Sequence, residues 1–238
     1  MSLPARVVVV VPARDEEQLL PRCLASVGVA LAGVRPLGVQ GSVVVVADSC
    51  TDRTAEVAAR AGAVVVQAVC GRVGAARAAG VATALALADE DPSRVWLAHT
   101  DADSAVPRHW LLEQLRHAAP GADAWVGTVR LADASDGEPV PPERRDAVDR
   151  WVAAYAALLL PDRTHDHVHG ANLGVRADAY LAAGGFDPVG LHEDRVLAAR
   201  LRAAGRPVVT STAEPVATSH RWDGRIAEGG VAHDLRTA

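Results

Sequence analysis

Residues 7–11 are five consecutive valines, and few folds can use such a run. A β-branched residue loses rotamer freedom in a helix, and a run without polar alternation offers neither face to water. Residues 7–11 therefore read as a strand buried on both faces, as in a parallel sheet covered by helices. The pattern recurs at 43–46, which are again all valine, and more loosely at 63–67 and 95–99. Between and beyond these strands the spacing predicts helices over 15–30, 51–61, 75–88 and 107–117. Asp15, Glu16 and Glu17 suit the first of them at its positive end, and Gly62 suits the stop of the second. Strand and helix in strict alternation imply an α/β fold: a Rossmann-like, doubly wound, mostly parallel sheet with right-handed crossovers.

Composition narrows the chemistry. The chain has 238 residues, which suits one domain, and it is 50% hydrophobic but only 3% aromatic, so its core must be built from Val, Leu and Ala. That apolar content excludes a disordered chain. All 24 basic residues are arginine. With no lysine there is no Schiff base, no phosphate-binding P-loop lysine and no lysine general base, and arginine does not lose its proton near neutrality. The formal charge of −5 and the lack of a basic run argue against nucleic acid as a partner and against a polybasic membrane contact. Cys23, Cys50 and Cys70 fall at no metal-ligand spacing and suggest reduced thiols and a cytoplasmic location. No stretch is expected to reach the roughly 18 uncharged apolar residues of a membrane span, so no integral membrane contact is expected.

After residue 129 the pattern loosens. Residues 131–142 are rich in Asp, Gly, Ser and Pro and read as a mobile loop. A helix over 142–160 follows, then a polar stretch over 161–169, helices over 176–183 and 191–204, and short strands at 208–209 and 216–219. This second half reads as a cap on the same domain.

In an open parallel sheet, ligands bind beyond the carboxyl ends of the strands. That rule selects residues 12–17, 47–54, 69–77 and 100–104. In the last of these, Asp101 and Asp103 stand at i and i+2, so in extended backbone both carboxylates point to one side and can meet one hard cation, Mg²⁺ or Mn²⁺. Asp48 ends the second strand and is open to two readings, hydrogen bonding to a nucleoside or capping of the helix that follows. The glycines at 71 and 74 allow backbone to approach a phosphate, with Arg72 or Arg77 supplying charge. There is no Gly-x-Gly-x-x-Gly, which disfavours a dinucleotide fold. Trp151 and Tyr155 lie four apart on one helical face, either as packing or as a platform for a sugar ring.

Seven short motifs in order carry a resemblance: Val-Pro-Ala-Arg-Asp-Glu-Glu (11–17), Ala-Asp-Ser-Cys-Thr-Asp (47–52), Gly-x-x-Gly-Ala-Ala-Arg (71–77), Asp-Ala-Asp-Ser (101–104), His-Gly-Ala-Asn (169–172), Gly-Gly-Phe-Asp (184–187) and Glu-Asp-Arg-Val-Leu (193–197). Over about residues 6–205 the chain resembles family 2 glycosyltransferases of the GT-A fold. The resemblance implies a single GT-A domain over 1–238, with 6–130 binding a nucleotide-sugar donor and 131–238 forming the acceptor side and tail. It implies an inverting enzyme that uses Mn²⁺ or Mg²⁺ to move a sugar from a nucleoside-diphosphate sugar, with a UDP-sugar favoured, to an acceptor hydroxyl. By position, Pro12, Arg14 and Glu16 would line the nucleoside pocket and Asp48 would bind the base. Gly74 and Arg77 would lie by the nucleotide, Asp103 would hold the metal, and Asp101 the ribose or the metal. Asp194 would be the general base. His169, Gly170, Asn172, Glu193 and Trp151 would face the acceptor or sugar, and His220 would be a third metal ligand. Arg221 and Arg225 are candidates to clamp the diphosphate. Trp125, Trp151, Tyr155, Phe186 and Trp222 are the aromatics expected near the acceptor. Arg14 and Ala47 depart from the family, which often has an aromatic residue and an Asp there.

Two rival readings share these features. A nucleotidyltransferase of similar architecture is expected to have a glycine-rich, basic first loop, whereas residues 12–17 are acidic and lack glycine. A non-catalytic nucleotide-sugar binding protein would not need the full set of acids.

Overall fold

The computed structural model describes residues 3–160, 162 and 165–221. Trp222 and Arg225 lie outside the described residues. The valine runs form the middle of the sheet. β1 (Arg6–Ala13), β2 (Gln40–Asp48), β3 (Val64–Ala68) and β4 (Val95–His99) are parallel, with β1 flanked by β2 and β4. All five valines of 7–11 are at most 1% exposed. Such burial needs helices on both faces, and they are present. Val7, Val9 and Val11 pack with α1 (Leu20–Val34) and α4 (Trp110–Ala118), whereas Val8 and Val10 pack with α3 (Val73–Leu87) and α7 (Glu193–Ala203). At roughly 1.5 kcal/mol or more for each fully buried valine side chain, this run is a main contributor to the core.

The sheet continues past β4 through three strands the sequence pattern does not reveal and one that it shows only in pieces. β5 (Ser104–Ala105), β6 (Ala124–Leu131) and β7 (Leu173–Arg176), with β8 (Val208–Thr218), extend it to eight strands in the order β3-β2-β1-β4-β7-β6-β8-β5. β7 runs antiparallel to both β4 and β6, and β5 antiparallel to β8, so the sheet is mixed but mostly parallel. The strand order reverses between β1 and β4, which places a crevice at their carboxyl ends.

Several boundaries moved, each for a local reason. The first helix begins at Leu20, not Asp15. Asp15 takes a left-handed conformation (φ +51°), and the next two amides are captured elsewhere: Glu16 donates to Thr54 Oγ1 (2.7 Å) and Glu17 to Asp52 Oδ2 (3.0 Å). The two expected late strands are one, β8, with a shift in register and Glu214 at φ +56°. The helix expected over 142–160 is a 3₁₀ turn at 142–144 and then α5 (Arg145–Ala156). α2 (Thr54–Arg60) and α6 (Ala177–Ala182) are shorter than expected. The 131–142 loop is tied down by Arg130, whose fork meets Asp136 at 2.6 and 2.7 Å, and by an Arg22–Glu138 ion pair at 3.2 Å. By length and composition alone, residues Leu20–Leu37 are long and apolar enough to cross a membrane, but the stretch is not uncharged, since it holds Arg22 and Arg35. Six of its residues, from Leu20 to Val34, are buried in the core.

Arg176, at the end of β7, was read only as the start of a helix. It is 1% exposed and gathers Asp123 Oδ1 (3.3 Å) and the carbonyls of Ser93, Ala118 and Ala122 (2.9–3.0 Å) around one guanidinium. It thus joins the β4 entry, the end of α4 and the start of β6. Arg176→Leu leaves a buried carboxylate and three carbonyls short of donors, and should cost about 3–5 kcal/mol in urea denaturation.

Candidate active site

The crevice is organised by Arg77, which α3 presents from its second turn. This side chain is 2% exposed. It donates from Nη2 to Asp101 Oδ1 (2.5 Å) and from Nε to Glu193 Oε1 (3.0 Å). One buried fork therefore joins the loop after β4 to the first turn of α7. Two glycines permit this closeness. A Cβ on Gly170 would collide with the guanidinium, and one on Gly74 would collide with the Asp187 carbonyl oxygen. The Gly74 amide donates to Val189 O at 3.0 Å and so ties α3 to the 187–189 loop.

Around Arg77 stand the acids. Burial pushes Glu193 above the ordinary carboxylate range, with Arg77 opposing and Asp194 assisting. Asp194 is held at both oxygens by backbone, Oδ2 by the Gly170 amide (2.6 Å) and Oδ1 by its neighbour Arg195 (2.7 Å). Its carboxylate is thereby oriented but keeps acceptor capacity. On the other side, burial raises Asp103 to about 6, against the pull of Arg221 and with Asp101 and Glu16 adding to the rise. Arg221 donates from Nη1 to Glu16 Oε2 (2.9 Å), from Nη2 to Glu16 Oε1, and from Nη2 to Asp103 Oδ2 (3.2 Å). Arg14 is exposed and Pro12 half-buried at the rim of β1.

Asp48 is 5% exposed, and its Oδ1 accepts from the Cys70 and Gly71 amides (2.6 and 3.0 Å) and from Ser49 Oγ (3.0 Å). It fixes the 69–71 loop. The helix it was a candidate to cap, α2, is served by Asp52 instead, which accepts from the Thr54 amide at 2.9 Å. Asp15, Cys50 and Asp52 bring ligand atoms within 4.8 Å of one another. Both carboxylates already hold backbone there, at Thr51, Thr54 and Glu17, so the cluster serves to lock two loops together.

On and beyond α5, Trp151 stacks on Tyr155 (4.7 Å between ring centroids), Tyr155 on His167 (4.4 Å) and His167 on His169 (5.6 Å). Tyr155 Oη meets His169 Nε2 at 3.0 Å. Burial, aided by His167 and His165, lowers His169 to about 3, so it is neutral near neutrality. Asn172 is a core pin: it is fully buried, accepts from Trp110 Nε1 (2.7 Å) and donates to the Thr128 and Glu214 carbonyls (2.7 and 3.2 Å). Trp125 is fully buried, and Phe186 packs edge-on to His99 (5.0 Å) beneath Arg77. His99 was not singled out in the sequence. Burial, then the charge of Arg77, lowers it well below the imidazole range. Only its place as the last residue of a buried strand distinguishes it.

His220 is 3% exposed, with Nε2 on the Glu138 carbonyl at 3.2 Å. A carbonyl oxygen only accepts, so Nε2 is the donor there, and Nδ1 is buried with no hydrogen-bond partner among the described residues. Hard carboxylate oxygens at Asp101 and Asp103, and an unpartnered imidazole nitrogen at His220, are donor types that suit a divalent ion of the Mn²⁺ or Mg²⁺ class, although among the described residues these three do not gather their ligand atoms within 4.8 Å of one another.

The fold and its strand-end acids define a GT-A architecture. The model of "Glycosyl transferase family 2" matches residues 8–181, and the chain belongs to that family. No curated protein sequence matches it. Among solved structures it is similar to mannosyltransferase PcManGT from Pyrobaculum calidifontis, solved with GDP-Man and Mn²⁺ (22% identity, TM-score 0.63, 94% of this chain and 59% of that one). It is also similar to S. aureus TarS 1–349 (14%, 0.58, 92% and 61%). A third is glucosyl-3-phosphoglycerate synthase from Mycobacterium tuberculosis, with Mn²⁺ and UDP-glucose (17%, 0.57, 91% and 72%). The chain thus spans about three-fifths of the first two.

The raised Asp103 has a consequence for stability. Because the folded state holds this proton up to about pH 6 and the unfolded chain releases it near 3.8, stability falls as pH rises through that window. The loss is on the order of 3 kcal/mol. In urea titrations without divalent ions, Asp103→Asn should flatten the wild-type decline between about pH 4 and 6.

Proposed function

We propose that the protein is an inverting, divalent-metal-dependent glycosyltransferase that moves a sugar from a nucleoside-diphosphate sugar, with a UDP-sugar the favoured donor, to an acceptor hydroxyl. The observation that carries this reading is the Arg77 bridge. It brings the Asp-x-Asp end of β4 and the acid pair at the start of α7 into one pocket. Family membership and the GT-A fold support it. In this reading Pro12, Arg14, Glu16 and Asp48 border the nucleoside. His169, Gly170, Glu193 and Trp151 border the acceptor, with Asn172 holding that wall from behind.

The chemistry follows from the placement of charge. An acceptor hydroxyl attacks the anomeric carbon opposite the diphosphate. Its proton passes to the Asp194 carboxylate, and the electron pair of the breaking sugar–phosphate bond leaves on the diphosphate. The two amides on Asp194 fix its direction, which is what a general base in line with the reaction needs. Asp101 and Asp103, with His220, would hold a divalent ion, which supplies Lewis-acid stabilisation of the leaving group. The neutral His169 adds no positive charge to the acceptor side, and Tyr155 fixes its ring.

Two outcomes test this. Asp194→Asn should fold and bind Mn²⁺–UDP as wild type does, yet lose about 100-fold or more in turnover in a donor-panel transfer assay. Undiminished turnover would remove Asp194 as base. Asp103→Ala should abolish Mn²⁺-dependent binding of UDP in calorimetry. Metal-independent binding by the wild type would sink the metal assignment.

A further inference from the structure

We propose that the Arg221 guanidinium is a resident counter-cation of the donor pocket, so that a divalent ion enters only together with a nucleotide and not alone. The inference rests on the donor site proposed above. Arg221 engages both oxygens of Glu16, which is 5% exposed, and also reaches Asp103 Oδ2 at 3.2 Å. It therefore sits on one oxygen of the carboxylate that a metal ion has to engage.

The guanidinium is held there by its surroundings. The two residues before it are tied to Glu138: Ser219 through its hydroxyl, and His220 through Nε2 to the carbonyl at 3.2 Å. Arg144 Nη1 reaches the His220 carbonyl at 3.4 Å. Glu138 in turn pairs with Arg22 at 3.2 Å, and Arg22 Nη2 donates to the Asp103 backbone carbonyl at 2.9 Å. The end of β8 is thus strapped across the Asp-x-Asp loop, and the fork arrives at Glu16 already oriented. Such a pre-oriented bidentate pair loses little side-chain entropy and is the strong kind of charge-assisted contact.

A bare divalent ion entering this pocket must displace the guanidinium from Asp103 and leave two like charges side by side. A nucleoside diphosphate changes that balance. Its phosphate oxygens are acceptors for guanidinium, so Arg221 exchanges its Nη2 contact with Asp103 for a phosphate oxygen while Asp103 takes the metal, and Nη1 stays on Glu16. The buried Glu16 thus keeps its partner through the exchange. Ion and nucleotide therefore enter as a pair.

The test is Mn²⁺ binding to the whole chain without nucleotide, read from the electron paramagnetic resonance signal of free Mn²⁺. Wild type should bind weakly, and Arg221→Gln should bind about tenfold more tightly or better. Arg221→Lys keeps the charge but loses the fork and should fall between; it also serves if the glutamine variant fails to fold. Adding UDP should raise wild-type Mn²⁺ affinity and narrow the gap. Equal Mn²⁺ affinity of wild type and Arg221→Gln without UDP overturns the inference, and so does tight binding by the wild type alone. Calorimetry of UDP with Mn²⁺ separates the two readings. Wild type that binds Mn²⁺–UDP while Arg221→Gln shows no gain refutes the counter-cation and leaves the donor site standing. Wild type that binds no UDP in the presence of Mn²⁺ refutes both.

Discussion

The pocket depends on a buried guanidinium with two carboxylates from two distant elements on it. Arg77 could not be exchanged for a lysine here. An ammonium is a point charge, whereas the planar fork lets Nε face Glu193 while Nη2 faces Asp101. Each contact alone would strand a charge at 2% exposure, so the three groups stand or fall together. The backbone had to adapt to this bridge. Gly170 leaves room for the guanidinium, Gly74 lets α3 close on the 187–189 loop, and the Gly170 amide then lies in place to hold Asp194. Motifs that are a hundred residues apart in sequence are one charge-paired unit in space.

This explains what sequence alone revealed and what it did not. The valine strands β1 and β2 were legible because burial on both faces writes the same residue type at every position. β7 was not, since Leu-Gly-Val-Arg is too short and mixed to show a period, and its glycine is there because a side chain would meet Trp96 and Gln114. The start of α1 was misread because acids at 15–17 look like a helix N-terminus, while their amides are taken by side chains 35–38 residues further along the chain. No local rule sees a donor stolen by a distant loop.

The site residues divide along the same line. Asp101, Asp103 and Asp194 were picked out because acids at strand and helix ends stand out against an apolar chain. Asn172 and Gly74 were picked out by motif, but their hydrogen bonds and contacts lie with the core and with a neighbouring loop. Arg176 and His99, which matter to the frame and to the charge beneath the site, carry no motif and lie inside strands. A buried polar residue can be recognised as such only when its partners are known.

Charge balance links the two arginines of the pocket. Glu16, Asp101, Asp103 and Glu193, if all were ionised, would carry four negative charges, and Arg77 and Arg221 return two positive ones. Burial works in the direction that eases the remaining imbalance, since it raises both Asp103 and Glu193 above the ordinary carboxylate range. A diphosphate brought to this pocket meets a field of its own sign. Lysine, which elsewhere supplies a mobile positive charge for phosphate, is absent from the chain. Arg77 cannot move without exposing two acids to each other. Arg221, joined to the pocket by side-chain contacts at the end of β8, and an added divalent ion are the cations on which the proposed exchange of partners draws. The proposed entry of ion and nucleotide as a pair would thus follow from composition as much as from fold.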